Sequence, residues 1–186
     1  MEKMILRDSA KGILQITLKC KKSSDLILKA GKSFSSIPDK AVYRGGKFDV
    51  ANLKFMLDRL KYEYTLEDNE VCVIGKGVDI DSSESINAIS RLAIALRKIG
   101  YKSNVIKFVA DVIGEDVNAN KIISNCQDSS GRLTFNIGKI DINQEDETVY
   151  IEIKIPTTYK KEDIVVPLVK LAKKYNLEYK EFKLSN

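Results

Sequence analysis

The sequence predicts an α+β fold made of two ferredoxin-like (split βαβ) lobes, each with an antiparallel sheet and helices packed on one face. Three observations predict it. Stretches that alternate apolar and polar residues come in pairs joined by short polar turns, the pattern of half-buried antiparallel strands. Between them lie segments with apolar residues at helical spacing, of which Ile86, Ile89, Leu92, Ala93, Leu96 and Ile99 form the clearest stripe. The alternation of strand pairs and helices occurs twice, which sets lobes at residues 1–100 and 101–186 within one compact domain spanning 11–186. No residue-level repeat links the halves.

The elements follow in order. Gly12 to Lys19 alternates Ile13, Ile16 and Leu18 with polar residues and reads as a strand, and Leu26-Ile27-Leu28 continues the β character. Residues 31–39 carry loop chemistry, Ala41 to Arg44 is a short strand, and Asp49 is placed to cap a helix with Val50, Leu53, Met56, Leu57 and Leu60 on its apolar face. Tyr62–Leu66 and Val71–Ile74 flank a polar turn as a hairpin. Asp81 and Glu84 have capping-box spacing ahead of the stripe from Ile86, which Gly100 stops. A helix is expected over Asn104–Ile113, ended by Gly114, and a short one over Asn118–Ser124. Three strands follow, at Arg132–Ile137, Lys139–Ile142 and Thr148–Ile155. The helix across Lys160–Tyr175 contains Pro167, which removes a backbone donor, so it either starts late near Asp163 or kinks. Leu177–Leu184 alternates as an edge strand would.

Composition narrows the function classes. The chain has 186 residues, 44% hydrophobic and 31% charged, enough to bury a substantial core. No apolar run approaches the ~20 residues of a membrane helix. Met1–Asp8 lacks the apolar stretch of a secretory signal, so a cytoplasmic location is expected. Cys20, Cys72 and Cys126 are an odd number without a C-x-x-C pair and read as reduced thiols serving as small hydrophobes. The 31 basic and 26 acidic residues leave a net charge of +5, but the lysines are spread along the chain, which argues for a solvated surface and against nucleic-acid binding. There is no histidine. A zinc-bound hydroxide needs three or more well-placed ligands and an open position, and no carboxylate spacing here suggests such a set. Asp79-x-Asp81 is not a cation loop of the EF-hand kind, because Glu84 stands at its sixth position and Ser90 at its twelfth.

Four segments, in order, carry a resemblance. Lys11-Gly12-Ile13-Leu14 resembles the passage from a catalytic domain into a lid. Ser35-Ser36-Ile37-Pro38-Asp39-Lys40-Ala41 resembles N-x-V-P-D-x-A. Gly75-Lys76-Gly77-Val78-Asp79, followed by Ile86-Asn87-Ala88-Ile89, resembles G-K-x-A/V-H with N-A-I after it. Gly131-Arg132-Leu133-Thr134-Phe135-Asn136-Ile137-Gly138 resembles G-x-L-T-x-N-x-G, and Ile151-Glu152-Ile153-Lys154-Ile155-Pro156 resembles I-D-I-R-Y-P. Together they resemble the lid (dimerisation-type) domain of the dipeptidase V-like and aminoacylase-like zinc metallopeptidases, without the catalytic domain. The resemblance implies a two-lobed lid whose full-length relatives use zinc. It implies no cofactor within this chain, and a catalytic-domain chain or a second copy as partner.

The resemblance also marks substituted positions. In such lids an asparagine, a histidine and an arginine hold the substrate and the developing oxyanion. Here Ser35, Asp79 and Lys154 stand at those positions. A donor at an oxyanion contributes ~3–4 kcal/mol, whereas the Asp79 carboxylate repels it. Lys154 keeps a charge without the planar fork of arginine, and Ser35 has one hydroxyl in place of an amide. The expectation is a noncatalytic lid acting in association or substrate capping. The alternatives are the lid of a split dipeptidase that works only with a catalytic partner, and a peptide-binding module.

Overall fold

The computed structural model describes residues 11–185 and shows an α+β architecture with antiparallel sheets and four helices. Met1–Asp8 therefore lies outside the described residues. The larger sheet has the order β10-β1-β9-β8-β2, with β1 at Gly12–Lys21, β2 at Leu28–Gly31, β8 at Thr134–Ile142, β9 at Asp146–Ile155 and β10 at Glu178–Ser185. The smaller has the order β3-β5-β4, from Lys40–Arg44, Glu70–Ile74 and Tyr64–Glu67. All registered neighbours in both are antiparallel. A two-residue ribbon, β6 (Gln127–Asp128) with β7 (Gly131–Arg132), stands apart.

The hydrogen bonding groups the strands differently from a cut at residue 100. β1 and β2 lie in one sheet with β8, β9 and β10, and β1 is flanked by β9 and β10. The unit β3, α1 (Lys47–Leu60), β4, β5 and α2 (Ala88–Lys98) is inserted between β2 and the helical segment that follows. Strand pairing is decided by which backbone edges and apolar faces match, and the entropy cost of closing a longer loop grows only slowly with its length.

That pairing gives the large sheet two unlike faces. Leu14, Ile153 and Phe135 stand side by side on β1, β9 and β8, as do Ile16, Ile151 and Ile137, and all six are buried. On the other face Gln15, Glu152 and Asn136 are aligned, as are Lys154 and Thr134. The apolar face is covered by helices, among them α4 (Lys161–Lys174) through Ile164, Leu168 and Ala172.

Several expectations change for local reasons. The strands read at Arg132–Ile137 and Lys139–Ile142 are a single β8 starting at Thr134, whose register shifts between Ile137 and Lys139. Gly138 is the extra residue of this bulge, and it keeps Ile140 and Ile142 on the core face. Gly46, not Asp49, is the N-cap of α1, and Asp49 lies in its first turn. Asn87, not Asp81, caps α2, accepting from the Ser90 amide at 3.1 Å. Residues 118–124 form turns, because the Asp116 carboxylate takes the Asn118 and Asn120 amides and Ala119 is left-handed. α3 (Asn104–Phe108) passes into a π-helical turn over Val109–Ile113 and ends at Gly114. α4 begins at Lys161, its first turn closed by the Asp163 carboxylate on the Lys160 amide at 2.8 Å, and continues through Pro167 as one helix. Its buried stripe offsets the lost bond, which costs about 3 kcal/mol.

A buried carboxylate ties the polar turn at β9 to α3. Glu147 is 0% exposed and accepts from the Ser23 hydroxyl at 2.8 Å and from the Ser23 and Val105 amides at 3.4 Å each. Ser23 in turn accepts from the Asn104 amide at 2.9 Å. Burial, then the Glu147 charge, push the Cys20 thiol up to about 12, so it stays protonated at neutral pH. The three cysteines are free, Cys126 buried and the others half-buried. Among the described residues no helix is long and apolar enough to cross a membrane.

Replacing Glu147 with Ala orphans these buried donors, and the expected loss is about 3 kcal/mol in urea unfolding. A loss below about 1 kcal/mol would contradict its bridging role. A second prediction concerns pH. The Ser130 hydroxyl, then the Thr158 amide, hold the Asp128 carboxyl below the usual carboxylate range. A depressed folded pKa contributes stability above the unfolded value and loses it as pH falls through the folded one. The stability advantage over Asp128→Asn is therefore expected to be constant near neutrality and to shrink below about pH 4. An advantage unchanged down to about pH 2 would contradict it.

Candidate functional site

The polar face of the large sheet meets two loops at a cleft of about 230 Å³, lined by Ser35, Ile37, Asp79, Ile80, Thr134, Asn136, Glu152 and Lys154. Ser35, Asp79 and Lys154, the positions marked by the sequence, thus come together from three distant segments. Each arrives on a different support. Lys154 and Glu152 alternate outward on β9, opposite Thr134 and Asn136 on β8, and directly opposite pairs share one face of a sheet. Ser35 and Ile37 belong to the loop leaving β2, and Asp79 to the 75–87 loop closed by a bridge between Lys76 and Ile86.

The 33–37 loop is held by β8. The Asn136 side-chain nitrogen donates to the carbonyls of Phe34 at 2.9 Å and Ser36 at 2.8 Å. The Ser36 hydroxyl reaches the Gly138 carbonyl at 3.4 Å. Backbone crosses backbone here, and a Cβ on Gly138 would sit 2.0 Å from the Ser33 carbonyl oxygen. Phe34 closes the crossing by packing edge-on against Tyr150, with ring centroids 5.4 Å apart, and beside Phe182 at 5.6 Å. A second close approach lies at Gly75, where a Cβ would come 2.4 Å from the Ile86 and 2.7 Å from the Pro38 carbonyl oxygen. The Gly75 amide bonds to Asp39 at 2.7 Å and the Ala88 amide to Pro38 at 2.9 Å, so one segment seats both loops.

The cleft is rich in acceptors. Asp79 is exposed at its rim, with one oxygen taken by the Asp81 amide at 3.1 Å. Glu152 is 7% exposed and accepts from Gln15 at 2.9 Å. Ser35 and Thr134 add hydroxyls, and half-buried Lys154 supplies the cation. Asn136 is 6% exposed, and its Oδ1 is the one buried side-chain polar atom without a hydrogen-bond partner among the described residues. Such an atom costs about 1–3 kcal/mol if nothing donates to it.

Sequence reasoning passed over Asn136 and Glu152. Each alternates along its strand with buried apolar neighbours, Phe135 and Ile137 or Ile151 and Ile153, and that alternation is the available signal. A larger groove of about 490 Å³ includes Asp25, Tyr43, Asp49 and Tyr101. Its two tyrosine hydroxyls bond to each other, so it presents no buried polar atom in need of a partner. Among the described residues no three His, Cys, Asp or Glu side chains converge to hold a metal.

Fold and cleft define an α+β domain with two main antiparallel sheets and an acceptor-lined cleft on the outer face of the larger one. No protein-family model matches the chain, and no curated protein matches it. Among solved structures it is similar to an aminoacylhistidine dipeptidase from Vibrio alginolyticus, at 11% identity and a TM-score of 0.36. The alignment covers 94% of this chain and 44% of that one, so the chain spans less than half its length. A likeness of that size says nothing about the chemistry of the cleft.

If Asn136 pins the loop, Asn136→Ala is expected to speed amide exchange over residues 33–37 by roughly tenfold, equivalent to about 1.4 kcal/mol of local opening. Exchange there at the wild-type rate would contradict the assignment.

Proposed function

We propose that this chain is a noncatalytic capping domain that holds a small peptide-like group in the cleft without transforming it. The observation that carries the reading is the convergence of Ser35, Asp79 and Lys154 on one cleft. Ser35, Asp79 and Lys154 line this cleft together with buried Asn136 and Glu152. The polarity supports the noncatalytic part. Peptide hydrolysis builds negative charge on the carbonyl oxygen, and donors stabilise it. Here two carboxylates, Asp79 and Glu152, face the same space, and only Lys154 opposes them.

The reading extends to association. β10 and β4 are sheet edges whose outer backbone groups are available for pairing. Phe182 and Leu184 on β10 and Leu66 on β4 are exposed apolar residues at those edges. A separate catalytic chain or a second copy is the partner such edges would serve, and the cytoplasm is the proposed location. The alternative, a lid that completes a split dipeptidase, differs in one outcome: a catalytic partner chain would then yield turnover.

The purified chain, incubated with zinc and a panel of di- and tripeptides, is expected to leave them intact. At near-saturating ligand its melting temperature should rise by about 5 °C, and the double variant Asp79→Ala/Lys154→Ala should lose the rise. Hydrolysis above background, or no peptide response at millimolar concentration, would contradict the reading.

A further inference from the structure

Exposed apolar side chains are usually scattered singly, but two of the largest stand in line on α1. Phe48 is 77% exposed, the highest value of any large apolar residue among the described residues, and Phe55 is 62% exposed. Seven residues apart, they lie two turns, about 10.5 Å, along one face of the helix. Ala51 stands between them on that face and is also exposed. The opposite face is already used, since Val50, Leu53 and Leu57 are buried in the core. α1 is therefore held by one face, and the Phe48–Ala51–Phe55 stripe is apolar surface that the fold does not consume.

We propose that this stripe pairs with the same stripe of a second copy of the chain, the two α1 helices running antiparallel about a two-fold axis near Ala51. The features of the helix favour a copy of itself. The small side chain at Ala51 lets two helix axes approach to the usual ~8–10 Å. Antiparallel order seats Phe48 between the partner's Phe55 and the partner's Arg59, and the two-fold axis repeats that contact. It also sets exposed Asp49, in the first turn, on the side of the partner's Arg59, in the last turn, and does so twice. Opposed helix dipoles act in the same sense, whereas a parallel pair would bring like ends together. An anionic membrane is another reader of an apolar helix face, but Asp49 and Asp58 beside this one oppose it. The proposal gives the second copy named above a surface apart from the sheet edges, and rests on the association reading only for that choice of partner. A helix of 14 residues against its twin is a small interface, so a weak dimer is expected, with a Kd of about 0.1 mM.

Sedimentation equilibrium of the full chain, from about 10 µM to about 1 mM, tests it. The wild type is expected to pass from monomer to dimer across that range. Phe48→Ser with Phe55→Ser, both at exposed positions, should weaken the dimer by about tenfold or more. Asp49→Arg and Arg59→Asp should each weaken it in the same direction. An equimolar mixture of those two charge variants should recover the dimer, because each then meets the opposite charge, and misfolded chains could not produce that recovery. A chain that stays monomeric at the highest concentration, a dimer indifferent to the phenylalanine substitutions, or a mixture that fails to recover would overturn the proposal. If the dimer yields to Phe182→Lys on β10 and not to the α1 variants, the α1 interface falls and association at a sheet edge stands. A monomeric chain whose melting temperature still rises with peptide loses this interface and keeps the capping reading.

Discussion

Ser35 reaches the cleft because residue 138 has no side chain. The 33–37 loop crosses β8 so closely that a single added carbon at Gly138 would overlap the Ser33 carbonyl. Two further contacts turn this passage into a fixed geometry. Asn136, two residues earlier on β8, grips the loop by the carbonyls of Phe34 and Ser36, and the Phe34 ring seats between Tyr150 and Phe182. Close backbone approach, a side-chain clamp and an aromatic plug act at one place. The cleft wall, the loop that faces it and the bulge that keeps β8 in phase with the core all depend on that crossing.

The same residues explain why the cleft is polar inside an otherwise ordinary fold. The apolar rows of β1, β8 and β9 go to the helices, which leaves the alternate rows to face the loops. Glu152 and Asn136 are therefore buried by a loop and not by a hydrophobic layer, and burying them without full partners opposes stability. Natural folds keep such a cost where function requires it. Asp79 shows the other half of the logic, since an exposed carboxylate at the rim of the same cleft costs little.

Much of this was legible in the sequence, and the gaps have physical causes. Two-fold alternation in β1 and β9 and the helical stripe of α2 marked those elements directly, because their buried faces run without interruption. The two apparent strands around Gly138 were read apart because a bulge breaks the alternation, which hydrogen bonding then restores across neighbours far away in sequence. The caps differ from those at Asp49 and Asp81 for two reasons: α1 starts earlier, at Gly46 with no side-chain cap, and of the polar residues ahead of α2 it is Asn87 that accepts the Ser90 amide. The lobes could not be divided from order alone, since β1 pairs with β9 and β10 at the other end of the chain. Ser35, Asp79 and Lys154 were marked through resemblance, but nothing in their spacing says that they meet. Asn136 and Glu152 were hidden for a different reason. A polar residue alternating along a strand is ordinary, and it becomes informative only when a loop is seen to bury it.

The crossing at Gly138 is the claim on which the account stands, and Gly138→Ala tests it most directly. Chemical unfolding of that variant is expected to show a loss of about 3 kcal/mol or failure to fold, because neither backbone can yield without releasing Asn136 or the β8 bulge. A variant with wild-type stability and unchanged amide spectra over residues 33–37 would contradict the crossing, and with it the cleft that the crossing builds.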